Sequence, residues 1–189
     1  MTGVVFVRHG ATDWSGRRYC GRSDPPLSAA GRAAAHELAA RLAPTLARDM
    51  LIVTSPARRA RETAEAISAA AGVEGIEVDA RWSETDFGVA EGRTFDEIAR
   101  LHPSLASALA DGATDIDWPG GETAGDFAAR VEAAWMALIV CARPAVVVSH
   151  AGPIRHAVAL ARGLAPAAVG LPEPATAVRV EVPPDRADR

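Results

Sequence analysis

The chain has 189 residues, 49% hydrophobic and 23% charged, with a formal net charge of −4. This is the length and balance of one ordinary globular domain, not of a disordered, fibrous or membrane chain. All 20 basic side chains are arginine, and the sequence holds no lysine, asparagine or glutamine, which excludes Schiff-base lysine chemistry and a lysine-bearing phosphate loop.

Net acidity argues against a general nucleic-acid binder. Cys20 and Cys141 lie far apart and outside any C-x-x-C pair. Neither a disulfide framework nor a zinc site is expected, and a reducing, cytoplasmic setting is the simplest. The opening MTGVVFVRHG lacks a basic leader and a long enough apolar run for a signal peptide. No uninterrupted apolar stretch approaches the roughly 18 residues that a membrane span needs, so no membrane association is expected.

In chain order, residues 4–7 form a near-continuous apolar run, as a strand buried on both faces does. Ser28 caps a predicted helix in which Ala30, Ala34, Leu38 and Leu42 recur, ending near Pro44. Residues 51–53 predict a second buried strand. Ser55 reads as the cap of the next helix, with Pro56 at its first position, Ala57, Ala60, Ala64, Ile67 and Ala71 as its stripe, and Gly72 as its stop. Residues 76–78 alternate like an edge strand. Thr94 and Glu97 make a capping box before Phe95, Ile98 and Leu101, and Pro103 ends that helix.

Thr123 starts a long helix with Phe127, Val131, Trp135 and Leu138 inward. Residues 146–148 predict a third buried strand, 153–162 a helix stopped by Gly163, and 178–182 a second alternating edge strand. Strands alternating with helices predict an α/β fold of three layers, α/β/α, with a largely parallel central sheet. One domain is expected over residues 1–182, followed by a disordered tail at 183–189.

Ligands of open α/β sheets bind beyond the carboxyl ends of the strands. There the sequence places Arg8 and His9 after the first strand, Arg58 and Arg59 after the second, Glu84 beyond the 76–78 segment, and His150 after 146–148. The set suits a phosphoryl group: arginines offer planar pairs of donors, a neutral imidazole can attack phosphorus, and a carboxylic acid can protonate the leaving oxygen. Taken singly, each residue has a plainer reading. A lone histidine after a strand is commonly a structural hydrogen-bonder. Arg58, Arg59 and Arg61 include two that read as a solvated helix face. His36, His102 and His156 read as structural or surface residues.

Five stretches in order change that balance: Arg8-His9-Gly10-Ala11-Thr12, then residues 21–32, Ser55-Pro56-Ala57-Arg58-Arg59-Ala60, Glu84-Thr85-Asp86-Phe87-Gly88, and Ser149-His150-Ala151-Gly152-Pro153. Together they resemble the histidine phosphatase superfamily, the phosphoglycerate-mutase-like fold, from about residue 4 to about residue 165. The resemblance implies His9 as the phosphorylated nucleophile and Glu84 as proton donor and later base. It implies Arg8, Arg59 and His150 on the phosphoryl oxygens, with neither metal nor cofactor. Ser15, Cys20, Gly21 and Ala151 fall on the implied substrate rim. Ala11, Ser15 and Ala151 stand where the family commonly has an acidic or amide residue, asparagine and glycine respectively.

The family contains mutases and phosphatases. The segment 94–120 is short, with only Arg100 and His102 basic, and lacks the basic insertion by which mutases hold a second anionic group. The resemblance therefore implies a phosphatase of a small phosphomonoester. Residues 19–24, Tyr-Cys-Gly-Arg-Ser-Asp, resemble a stretch of α-ribazole-phosphate phosphatase-like members. A cofactor-dependent phosphoglycerate mutase and a catalytically silent phosphate-binding module are the alternatives; the presence of both histidines, Arg59 and Glu84 speaks against the second.

Overall fold

The structure is a computed structural model and describes residues 2–182; the tail expected at 183–189 lies outside the described residues. Strands β1 (Thr2–Arg8), β2 (Leu51–Thr54), β3 (Glu77–Val78), β4 (Ala145–Ser149) and β5 (Ala177–Val182) make one sheet in the order β3-β2-β4-β1-β5. All neighbours are parallel except β5, which runs antiparallel to β1. The three apolar runs fill the interior of the sheet, and the two segments read as alternating take its edges; β5 alternates in burial, whereas both residues of β3 are exposed.

Each interior strand feeds two cores because successive side chains face opposite ways. Val4 and Phe6 of β1 join Val147 of β4 under α5 (Ala124–Cys141) and α6 (Ala151–Arg162). Val5 and Val7 join Ile52 and Val148 under α1 (Ala29–Leu42) and α2 (Arg58–Ala71). The result is the expected three layers. The helices that follow β1 and β2 cover one face, while the helix that follows β4 covers the other. The chain therefore parts at the carboxyl end of β4, which opens a crevice there.

Several local expectations change. The helix expected from Ser55-Pro56 starts at Arg58 with Ala57 in the cap position, and its first amide donates to Asp24 Oδ1 at 2.6 Å. The Ser55 hydroxyl is engaged by His150 and by the Ala57 amide instead. In α1 the Ser28 cap is present, but Ala30 is exposed and the buried stripe is Gly31, Ala35, Leu38, Ala39 and Leu42. The helix expected from Pro153 begins two residues earlier, at Ala151.

The capping box forms at α3 (Phe95–Leu101), yet Phe95 and Leu101 are 43% and 59% exposed, leaving Ile98 as its buried residue. Pro103 ends α3 and at once opens α4 (Pro103–Ala110), an unforeseen helix that the proline fits because its first amides need no intrahelical partner. Among the described residues no helix is long and apolar enough to cross a membrane.

Candidate active site

The strand register sets the two histidines side by side. Arg8 of β1 pairs with Ser149 of β4, so the next residue on each strand is a histidine at the same level. The His9 amide donates to Ser149 O at 3.0 Å, and the rings meet edge to face with centroids 4.9 Å apart. Ser55, just past β2, brings its hydroxyl to 2.8 Å from His150 Nε2. Gly10 then turns the chain past α1; a Cβ there would meet the Gly31 carbonyl oxygen at 2.4 Å. Its amide donates to Thr63 Oγ1, which donates to the Arg59 carbonyl, so the turn is tied to the start of α2.

Arg59 is 1% exposed and links the parts. Its Nε donates to His9 Nε2 at 3.3 Å and its Nη2 to His150 Nδ1 at 3.2 Å. The other donors hold the loop of residues 20–23 by its carbonyls: Ser23 at 2.7 Å, Gly21 at 3.0 Å and Cys20 at 3.2 Å. A guanidinium only donates, so both histidine nitrogens facing Arg59 are acceptors. The His9 proton then sits on Nδ1, which donates to the Gly10 carbonyl at 2.7 Å. The His150 proton sits on Nε2, facing Ser55. Arg58 and Arg61, beside Arg59 in sequence, are exposed.

Burial and the neighbouring Arg59 push the His9 imidazole down to about 3, so it is neutral. His150 lies well below the usual histidine range, from burial first, with the neighbouring Arg59 cation adding to the effect. Burial raises Glu84, outweighing the amides of Thr85 at 3.0 Å and Gly152 at 3.4 Å that favour its carboxylate. The site thus pairs a neutral imidazole carrying a lone pair with a carboxyl that holds its proton to higher pH than an ordinary one does.

Arg8 donates through Nη1 to the Pro172 carbonyl at 2.7 Å, while its buried Nε has no hydrogen-bond partner among the described residues. A cleft of about 200 Å³ is walled by Gly21, Arg22, Ser55, Ser83, Glu84 and His150.

The residues read as a substrate rim differ in position. Gly21 walls the cleft, and a Cβ on it would meet the Thr85 carbonyl oxygen at 1.9 Å. Cys20 contributes its carbonyl to Arg59; burial pushes its thiol up to about 11. Ser15 turns its hydroxyl onto the Thr12 amide of its own loop at 2.9 Å. Ala151 opens α6 directly after His150.

Three supports of the site carry little or no sequence signal. Glu91 accepts from the amides of Gly21, Arg22, Ser23 and Phe87 and from the Ser23 hydroxyl. Asp24 caps α2 from a distant loop. Arg130 of α5 donates to the carbonyls of Arg81 and Ser83 at 2.8 and 2.7 Å and of Glu84 at 3.2 Å, and pairs with Glu122 at 2.8 Å. Nothing in the sequence places Arg130 over the Glu84 backbone, because that contact depends on how α5 packs.

The α/β sheet thus gathers paired histidines and a buried arginine at the carboxyl ends of β1 and β4 and the start of α2, the place where sheets of this class bind ligands. The chain belongs to the histidine phosphatase superfamily (branch 1), whose sequence pattern matches residues 4–187. It is 40% identical over 135 residues to the probable phosphoglycerate mutase GpmB of Citrobacter koseri, covering 71% of this chain and 61% of that protein. The chain thus spans under two thirds of the length of that curated relative. Among solved structures, it is similar to a mycobacterial glucosyl-3-phosphoglycerate phosphatase solved with VO3, at 32% identity and a TM-score of 0.82, covering 95% and 90% of the two chains. It is also similar to TTHB049 from Thermus thermophilus, at 31% identity and a TM-score of 0.74, covering 96% and 94%. The family thus holds both phosphatase and mutase-like relatives of this chain.

Proposed function

We propose that the protein hydrolyses a small phosphomonoester through a phosphohistidine on His9. The observation that carries this reading is the hydrogen bond from His9 Nδ1 to the Gly10 carbonyl, which leaves the Nε2 lone pair as the reactive one. As phosphorus approaches Nε2, a phosphoryl oxygen takes over the hydrogen bond of Arg59 Nε. The N–P bond forms, the P–O bond to the leaving group breaks, and that oxygen takes the Glu84 proton.

The second half reverses the roles. The Glu84 carboxylate, held by the amides of Thr85 and Gly152, takes a proton from water as the water oxygen attacks phosphorus. The P–N bond breaks, and inorganic phosphate and neutral His9 are restored. Arg8 supplies its free Nε to the phosphoryl oxygens. A dianion beside His150 favours the protonated imidazole, which turns its Nδ1 into a further donor.

Hydrolysis is favoured over mutase chemistry by the stretch between Glu84 and β4. Between Leu101 and Ala129 no arginine occurs, and with no lysine in the chain those residues offer little to hold a second anionic group over the intermediate; Arg93 and Arg100, earlier in the stretch, line a separate cavity that shares no residue with the catalytic cleft. The test is a phosphomonoester panel that includes 3-phosphoglycerate and α-ribazole phosphate, with and without a bisphosphate. Release of inorganic phosphate without bisphosphate supports the reading. Interconversion of phosphoglycerates that depends on bisphosphate, with negligible phosphate release, contradicts it.

A further inference from the structure

A second cavity, of about 380 Å³, lies between the loop before Tyr19 and α3, and shares no lining residue with the catalytic cleft. Arg18, Arg93 and Arg100 line it against one carboxylate, Glu97. On a chain of net charge −4 this is a local reversal of sign.

Glu97, within electrostatic reach of both Arg18 and Arg100, offsets part of that charge, but three arginines face this one carboxylate. Its carboxylate accepts from the Thr94 amide at 2.8 Å as half of the capping box, and meets Arg18 only at 3.4 Å. Arg18 otherwise donates to the Gly92 carbonyl at 2.6 Å. The guanidinium groups of Arg93 and Arg100 form no hydrogen bond or ion pair among the described residues. Two planar forks of donors without acceptors, with a third beside them, form a receptor for oxygen-rich anions.

We propose that this cavity binds a compact polyanion, a small molecule carrying two or more phosphate-type charges. Its walls lead to the catalytic cleft. Tyr19 and the 92–93 segment exchange two backbone hydrogen bonds, Tyr19 N to Arg93 O and Gly92 N to Tyr19 O, each 2.9 Å. The adjoining residues Cys20 and Gly21 give their carbonyls to Arg59. An anion bridging Arg18 and Arg93 therefore tightens the loop that walls the active site.

The test uses methylenediphosphonate, which resists hydrolysis, titrated into the intact protein while the arginine Nε–H and backbone amide resonances are followed. The Arg93 and Arg100 signals should shift to saturation with an affinity of their own, distinct from that of Arg59, and carry the Tyr19 amide with them. The double variant R93A/R100A should weaken that transition by about tenfold or more and leave the Arg59 transition in place. R100E, a single change at an exposed side chain, should weaken it as well. Shifts confined to the Arg59 and His9 set, or an Arg93 and Arg100 response that never saturates, overturn the proposal. Because binding is read directly, the result stands apart from whether the protein proves to be a phosphatase.

Discussion

Arg59 Nε lies 3.3 Å from His9 Nε2, so the most buried cation of the site rests on the lone pair proposed to attack phosphorus. The same guanidinium reaches His150 and three carbonyls of the 20–23 loop. One side chain thus couples charge for the phosphoryl group to the order of the cleft wall.

Arg59→Lys should therefore damage both. A lysine has three donors on a single nitrogen and cannot span this fork. Turnover of p-nitrophenyl phosphate should fall about 100-fold or more, in the range for losing a preorganised donor. Thermal unfolding should shift downward as well, since each buried carbonyl left unpaired costs about 1–3 kcal/mol. Near-normal activity would detach Arg59 from the chemistry.

Glu84→Gln should alter the pH profile more than the fold. Burial raises Glu84, so the acid form persists to higher pH than for an ordinary carboxyl, and activity should decline as pH rises through that raised value. His9 gains a proton only near its lowered value of about 3, so its own acid limb lies far below neutrality. The glutamine variant should lose the alkaline limb in kcat/KM measured from about pH 4 to about pH 9. It should also be hurt most with poor, alkoxide-like leaving groups. Equal losses for aryl and alkyl phosphates would remove Glu84 from the acid role.

Arg130 acts at one remove, by holding the backbone that carries Glu84. Arg130→Met keeps much of the stem that packs beneath the charge but frees the carbonyls of Ser83 and Glu84. We expect kcat for alkyl phosphates to fall about tenfold or more, with a smaller loss for aryl phosphates and a shifted alkaline limb, because acid placement is what suffers. Combined with Glu84→Gln, the second loss should largely vanish. A uniform loss across leaving groups would mark a purely structural role.

Much of this site is legible in the sequence for a physical reason. Strand ends are where a parallel sheet gathers its chemistry, and His9, His150 and Arg59 each follow closely on an apolar run that can only be a buried strand. The edge strand β5 announces itself by alternation, and the Thr94–Glu97 box by its spacing. The supports are hidden because they are long-range. Asp24 caps a helix from a separate loop, Glu91 gathers four amides, and Arg130 reaches back from α5; none has a local pattern. Ser55 misleads for a related reason: it has the chemistry of a cap, but the sheet register delivers it to His150, and the helix starts later.

Everything proposed for the chemistry turns on a covalent intermediate at His9. It can be trapped by rapid quench of the enzyme with radiolabelled phosphomonoester, followed by acid and alkaline treatment and peptide mapping. Label should appear on the His9 peptide, survive alkali and be lost in acid, as a phosphoramidate is. It should vanish in His9→Ala while that variant keeps its native unfolding transition. Label on another residue, or unimpaired hydrolysis by His9→Ala, would contradict the assignment.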